Sequence, residues 1–258
     1  MSENQPPANA SRRETWLGLT SLMVFLLVWE ILPAVGLLDP FFSSSPSRIL
    51  KTGLKMFQNG FWFDIQISLN EFFLGMLLAA LLGIGLGLML GWYRTLYAIL
   101  EPFITMLNSA PRVALIPLLI LWLGIGMQSK IAAVFLGAFF PLVISVMKSV
   151  RTLDETLLRC ARSFGANDAQ VFLTLILPNS VPFMVAGLHI AIGRGLVGVV
   201  IGEMLASQAG VGHVMAIASS TFQTDKLFVG LVVLSMVGFA LTRLVEVGEK
   251  RLELWRLK

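Results

Sequence analysis

The chain has one cysteine, Cys160, and two histidines, His189 and His213, among its 258 residues. A single cysteine excludes an intrachain disulfide and leaves the redox compartment open. So thin a set of soft ligands argues against a metal site. Charge is scarce as well: Asp, Glu, Lys and Arg make up 13% of the chain, against roughly 25% in a soluble domain. The basic excess, net +4, lies in short clusters between apolar runs and forms no continuous patch, which argues against nucleic-acid binding. Catalytic signatures are missing too. There is no Gly-x4-Gly-Lys-Ser/Thr phosphate loop, since Gly124-Ile125-Gly126 before Lys130 has the wrong spacing. There is no His-Glu-x-x-His. No Ser–His pair is convincingly placed for proteolysis, although Ser109 and His189 stay open on sequence alone.

What is present is apolar surface. Hydrophobic residues make up 56% of the chain, far more than a globular core of this length can use. A membrane helix takes roughly 20 apolar residues, and the runs 16–38, 67–92, 96–122, 131–150, 181–206 and 227–247 read as six spans. The expected fold is therefore an all-α membrane protein. The third run is interrupted by Pro102, Pro111 and Pro117. Ser11-Arg12-Arg13 before the first run faintly resembles a twin-arginine export signal. A cytoplasmic flank on a membrane anchor is the favoured reading, because no small-x-small cleavage site follows and further spans do.

An even number of spans puts both termini on one side, and basic residues choose the side. With the N-terminus inside, the inner segments hold Arg12, Arg13, Arg94, Lys148, Arg151, Arg159, Arg162, Arg243, Lys250, Arg251, Arg256 and Lys258. The outer ones hold only Arg48, Lys51, Lys55, Lys130 and Lys226, so both termini are expected in the cytoplasm. The expected organisation is a cytoplasmic tail over 1–15, a first anchor over 16–38 and an external loop over 39–66. A five-span core over 67–247 follows, then a cytoplasmic tail over 248–258. In the external loop Ile49, Leu50, Leu54 and Phe57 recur about a turn apart, as in a short amphipathic helix. The second span carries Gly75, Ala79, Gly83, Gly87 and Gly91 at four-residue spacing, a stripe where another helix backbone can come close.

The inner connection 151–180 is too long for a turn. Leu153, Leu157, Ala161 and Phe164 share one helical face. Gly165 supplies the left-handed residue of a sharp stop. Asn167 and Gln170 form a capping-box pattern for a second helix, expected to run to Leu177 and end at Pro178. By periodicity alone, an amphipathic hairpin lying on the inner leaflet satisfies the same pattern.

Arg159-Cys160-Ala161, then Gly165, then Leu175-x-Leu177-Pro178 is similar to the EAA loop of permease subunits of ATP-binding-cassette importers, which reads Glu-Ala-Ala-x3-Gly-x9-Ile-x-Leu-Pro. Ala161, Gly165, Leu177 and Pro178 match; Arg159, Cys160 and Leu175 replace Glu, Ala and Ile. The wider similarity runs from about Ser47 to the C-terminus. Within the family the chain resembles the taurine, aliphatic sulfonate and nitrate branch in Ala110-Pro111 to Gly126, Leu153-Asp154-Glu155 to Gly165-Ala166, and Gly202-Glu203-Met204 with Gly210-Val211-Gly212.

The resemblance implies a bacterial inner-membrane permease, a homodimer working with two ATP-binding subunits and an external solute-binding protein. ATP and Mg would be bound in the partner ATPase and no cofactor in this chain, which would itself be no enzyme. A coupling helix between helices 4 and 5 would dock on the ATPase through Arg159, Cys160, Ala161, Gly165, Ala166, Asn167, Asp168, Leu177 and Pro178. Ionisable groups within spans cost about 2.5–3.5 kcal/mol on insertion scales and invite a reason. Asn108, Ser109 and Arg112 in the proline-broken run, with Arg194 and Glu203 on the fifth span, are the pathway candidates for a small anion. For Arg194 a salt bridge or snorkelling is an equal reading; Glu203 reads more as a structural or gating partner than as a ligand contact. Glu30, Glu71 and Glu101 read as interfacial, and His189 as packed or hydrogen-bonded. The competing functions are a channel or scaffold subunit without an ATPase, and lastly an intramembrane enzyme.

Overall fold

Hydrophobic runs of about 20–30 residues with no water to bond their backbones must close their hydrogen bonds internally. Every regular element among the described residues is accordingly helical. The structure is a computed structural model describing residues 8–39 and 42–253. Of the expected tails 1–15 and 248–258, residues 1–7 and 254–258 lie outside the described residues, and the side chains of 8–15 and 250–253 are not described.

The order is α1 (Ala8–Ala34), α2 (Pro46–Gln58), α3 (Phe61–Trp92), α4 (Arg94–Ser109), a 3-10 turn (Arg112–Leu115), α5 (Ile116–Leu123), α6 (Met127–Arg151), α7 (Glu155–Ser163), α8 (Asp168–Val171), a π turn (Phe172–Ile176), α9 (Leu177–Ala206), α10 (Val211–Ser220) and α11 (Thr224–Glu253). Among the described residues five helices are long and apolar enough to cross a bilayer, or six if the pair Arg94–Ser109 and Arg112–Leu123, bent by 90°, is one broken span. Of the three prolines expected to interrupt this run, only Pro111 does so. Pro102 lies within α4, and Pro117 sits in the first turn of α5, where a missing N–H costs nothing.

The centre is a slab of α3, α6 and α9. The small-residue stripe of α3 meets α6 as expected. A β-carbon on Gly75 would come within 2.6 Å of Val134, on Gly87 within 2.8 Å of Val146 and on Gly91 within 2.3 Å of Val150. Gly137 of α6 lies in the same way against the Arg194 carbonyl of α9. Phe72, Val134, Ala138, Leu142, Ala191 and Val199 fill the middle of this slab. Without a hydrophobic drive between helices in lipid, such close backbone approach is the main source of cohesion.

Around the slab, α10 packs between α9 and α11, and α2 packs on α11. The amphipathic helix expected in the loop 39–66 is α2, which buries Ile49 and Met56 beside Val229. α1 stays outside, most of its length exposed. It is held at its C-terminal end, where Trp29 stacks obliquely on Phe228 at 5.6 Å. There the Glu30 carboxylate also accepts from the Ser47 hydroxyl at 2.6 Å and the Ser47 N–H at 3.0 Å. Glu30 thereby caps α2.

The inner connection departs from the sequence reading in how it ends. The second helix of the inner connection does not stop at Pro178; α8, the π turn and α9 run on as a helical stretch of 39 residues, Asp168–Ala206. Pro178 lacks an N–H and crowds the carbonyl four residues back. The widened turn directly ahead of it accommodates both without a break.

Candidate functional site

Three constellations of polar side chains stand out against the apolar scaffold. The first is the corner between α7 and α8. Asp154 starts α7: its Oδ1 accepts from the Thr156 N–H at 2.8 Å, which holds the exposed carboxyl below the usual aspartate range. Gly165 makes the corner at φ +83° with open space around it, so a side chain there meets backbone strain and no clash within the chain. Both capping-box bonds of Asn167 and Gln170 are made, at 2.8 and 2.9 Å. Arg159 pairs with Glu155 at 3.0 Å and Arg162 with Asp168 at 3.5 Å, all four exposed.

The apolar face of α7 divides. Leu153, Leu158, Ala161 and Ala166 pack toward Val150, Val171 and Ile176 together with Leu177. Leu157 and Phe164 point out, Phe164 at 93% exposure. Cys160 and Pro178 are exposed. Phe164 is thus a bared apolar side chain at the tip of a capped, glycine-turned corner.

The second constellation is a cavity of about 530 Å³ between the broken span and the α6–α9 face, lined by Asn108, Arg112, His189 and Arg194 among apolar residues such as Val113 and Leu136. Arg112 holds the break together. Its Nη2 donates to the Asn108 carbonyl at 2.8 Å and to Asn108 Oδ1 at 2.5 Å, and its Nη1 to the Gly137 carbonyl at 3.1 Å. It thus satisfies a carbonyl that the end of α4 leaves without a helical donor. Arg112 Nε and His189 Nε2 are buried without a hydrogen-bond partner. Arg194 is exposed and forms no hydrogen bond or ion pair among the described residues. The lining contains no carboxylate. The structure therefore brings Asn108, Arg112 and Arg194 together. Ser109 is not in the lining, and its hydroxyl donates to the Thr105 carbonyl at 2.9 Å.

Glu203 belongs to the third constellation. Its side chain is fully buried, with Oε1 accepting from Ser68 at 2.6 Å and Oε2 from the Gly212 N–H at 2.6 Å. Ser68 in turn accepts from the Val211 N–H at 2.9 Å, and Asp64 accepts from the Gly210 N–H at 2.9 Å. Three successive amides at the head of α10 are thereby tied to α3 and α9. Glu71, expected at an interface, is 3% exposed, and Lys130, expected in an outer loop, is 2% exposed. Lys130 donates to the Ile125 and Gly126 carbonyls. The signal for this cluster is the pairing of Glu203 with Gly210-Val211-Gly212: glycines leave room for a carboxylate, and β-carbons at Gly210 and Gly212 would collide with it.

With this geometry in place, the comparisons decide the family. The model for the binding-protein-dependent transport system inner membrane component matches residues 79–254. The chain belongs to that family. A probable ABC transporter permease protein of Brucella abortus is 33% identical over 96% of this chain and 98% of its own length. The taurine transport system permease protein TauC of Escherichia coli K12 is 31% identical over 94% of this chain and 90% of its own. The putative aliphatic sulfonates transport permease protein SsuC of Bacillus subtilis is 32% identical over 95% and 90%. A structure of the MetNI methionine ABC transporter in inward-facing conformations shares the fold at TM-score 0.55 and 19% identity, covering 70% of this chain and 93% of that one. The ABC permease family thus accounts for the helical fold, its multiple spans and the match across nearly the whole chain.

Proposed function

We propose that this permease forms the pathway for a small organic or inorganic oxyanion of the sulfonate type, drawn in by the Arg112–Arg194 cavity. The observation that carries the reading is that cavity: two arginines and a histidine converge on about 530 Å³ with no carboxylate in the lining. In a low-dielectric setting such a site favours anions strongly. Taurine and aliphatic sulfonates, named in relatives, carry the anionic group it suits.

In this reading the chain works as a homodimer with both termini in the cytoplasm, alongside an external solute-binding protein and two ATP-binding subunits. ATP and Mg sit in the partner, and the chain itself catalyses no covalent step. The corner Arg159–Asp168 is the docking element, with the exposed Phe164 as its apolar knob and the continuous helix beyond Gly165 as its link to the pathway. In the alternative, a channel or scaffold without an ATPase, the corner is a hairpin on the inner leaflet with Phe164 set into lipid.

The test is reconstitution. The tagged chain, purified from native membranes in mild detergent, should bring a stoichiometric ATPase. In proteoliposomes with that ATPase and the binding protein, Arg194→Gln should cut uptake of a taurine-class anion by tenfold or more, about 1.4 kcal/mol. ATP-independent conduction by the chain alone, or full uptake by Arg194→Gln, would refute the reading.

A further inference from the structure

A second basic cavity, about 600 Å³, opens under α7 at the other end of the spans from Glu203. It is lined by the α3–α4 junction (Trp92, Tyr93, Arg94), by Arg151 at the end of α6, and by Arg159 and Arg162 of α7. We propose that this cavity binds a phosphate group, supplied by the headgroup of an anionic lipid. Four features converge on it.

The first is charge left over. Of the four lining arginines, Arg159 and Arg162 are neutralised by Glu155 and Asp168, the carboxylates of the same lining. Arg94 and Arg151 have no carboxylate partner among the described residues. The second is orientation. The Arg151 guanidinium lies over the Tyr97 ring at 3.7 Å, which fixes its plane by a cation–π contact and leaves its N–H edge to a ligand. The third is the backbone. The head of α4, at Tyr93 and Arg94, has neither a side-chain cap nor an acidic residue in its first turn, so its first backbone N–H groups have no side-chain acceptor.

The fourth feature is depth, and it selects the lipid. Trp92 and Tyr93 end a 32-residue apolar helix, as the amphipathic aromatics of a membrane–water boundary do. Headgroup phosphates lie at this level. The outward face of α3 leading down from the cavity is apolar and exposed at Leu78, Leu82 and Met89, a surface for acyl chains. Basic clusters at the cytoplasmic boundary gain about 1 kcal/mol per Lys or Arg from anionic lipid. Because two walls of the cavity are the α7 corner, a bound phosphate would brace that corner against the α3–α4 turn. The site is independent of which solute the permease carries.

The test uses the full chain in mild detergent, titrated with phosphatidylglycerol or with phosphatidylcholine of the same acyl chains, and bound lipid counted by native mass spectrometry. The wild type should prefer phosphatidylglycerol. Arg94→Gln/Arg151→Gln should lose that preference by roughly 30-fold, about fivefold per arginine, with unchanged phosphatidylcholine adducts. Should that pair fold poorly, Arg94→Gln alone, at an exposed side chain, should still lose about fivefold. The conservative pair Arg94→Lys/Arg151→Lys should keep most of the preference, and Lys226→Gln, outside the cavity, all of it.

Inorganic phosphate supplies the other arm. If it binds the wild type and not the double variant while phosphatidylglycerol shows no preference, the phosphate site stands and is filled from solution. Equal binding of the two lipids with no phosphate binding would overturn the proposal. So would a preference untouched by the glutamine pair.

Discussion

Glu203→Ala should weaken the fold more than its single-residue size suggests. The substitution removes the acceptor of both the Ser68 hydroxyl and the Gly212 N–H, each at 2.6 Å in a fully buried setting. An unsatisfied buried donor costs about 1–3 kcal/mol, so the two together cost about 2–6 kcal/mol. Removal of a carboxylate from the interior returns part of that, which places the net loss near the lower end, about 2–3 kcal/mol. For a chain of this size 1 kcal/mol corresponds to roughly 2–4 °C, so the midpoint should fall by roughly 5–10 °C. Glu203→Gln keeps one carbonyl acceptor and turns an NH2 toward the other donor, and should fall about half as far. The assay is thermal unfolding in detergent, followed by tryptophan fluorescence. Ser68→Ala, alone and combined with Glu203→Ala, completes a double-mutant cycle with a coupling energy above about 0.5 kcal/mol. A Glu203→Ala protein melting within a degree of wild type, or strict additivity in the cycle, would show that the carboxylate does not hold the head of α10.

Gly87→Ala should destabilise by about 1–3 kcal/mol through overpacking, because its β-carbon would lie 2.8 Å from Val146. Gly85→Ala, two residues away with nothing within 4 Å, should melt like wild type; paired melting curves decide it. Gly165→Asp should insert normally and abolish transport. Gly165→Asn, whose side chain tolerates the left-handed region better, should retain more uptake than Gly165→Ala, and the reverse order would shift the role of Gly165 from backbone shape to docking room. The cap on α7 should be pH-dependent. Asp154 is lowered by the Thr156 N–H, so its contribution is complete above the ordinary aspartate value and disappears as pH falls through the lower folded value. Amide exchange at Thr156, corrected for intrinsic rates, should keep its protection at pH 5 and lose it only below the ordinary aspartate value; protection lost already at pH 5 would contradict the capping geometry.

The parts of this protein legible in its sequence are those written in local pattern. The α3 stripe at four-residue spacing states directly that a helix will lie against it, and Asn167 with Gln170 marks its own cap. Gly165 sits where a left-handed corner is needed, and the same few residues carry the likeness to the EAA loop. The π turn ahead of Pro178 leaves no comparable trace, since a proline that ends a helix and one absorbed by a wider turn look alike in sequence. The buried Glu71 and Lys130 escape for another reason. Their environment is built by residues far away in the chain: Ser68 and Glu203 are 135 positions apart, and nothing local marks that meeting. Arg112 falls between these cases. The proline beside it marks the break, but its bonds to Asn108 and Gly137 exist only once the two half-spans fold to a right angle.

The helical stretch Asp168–Ala206 begins beside the exposed corner, passes the cavity at His189 and Arg194, and reaches Glu203 near its far end. At 1.5 Å per residue it is about 58 Å long. Such a rod has no slack. A twist applied at the capped end would turn the cavity side chains and the carboxylate together, or be taken up at the wide turn Phe172–Ile176. The stiffness of those five residues therefore sets how much of a stroke made at the corner is transmitted to the far end as torque and how much is dissipated on the way.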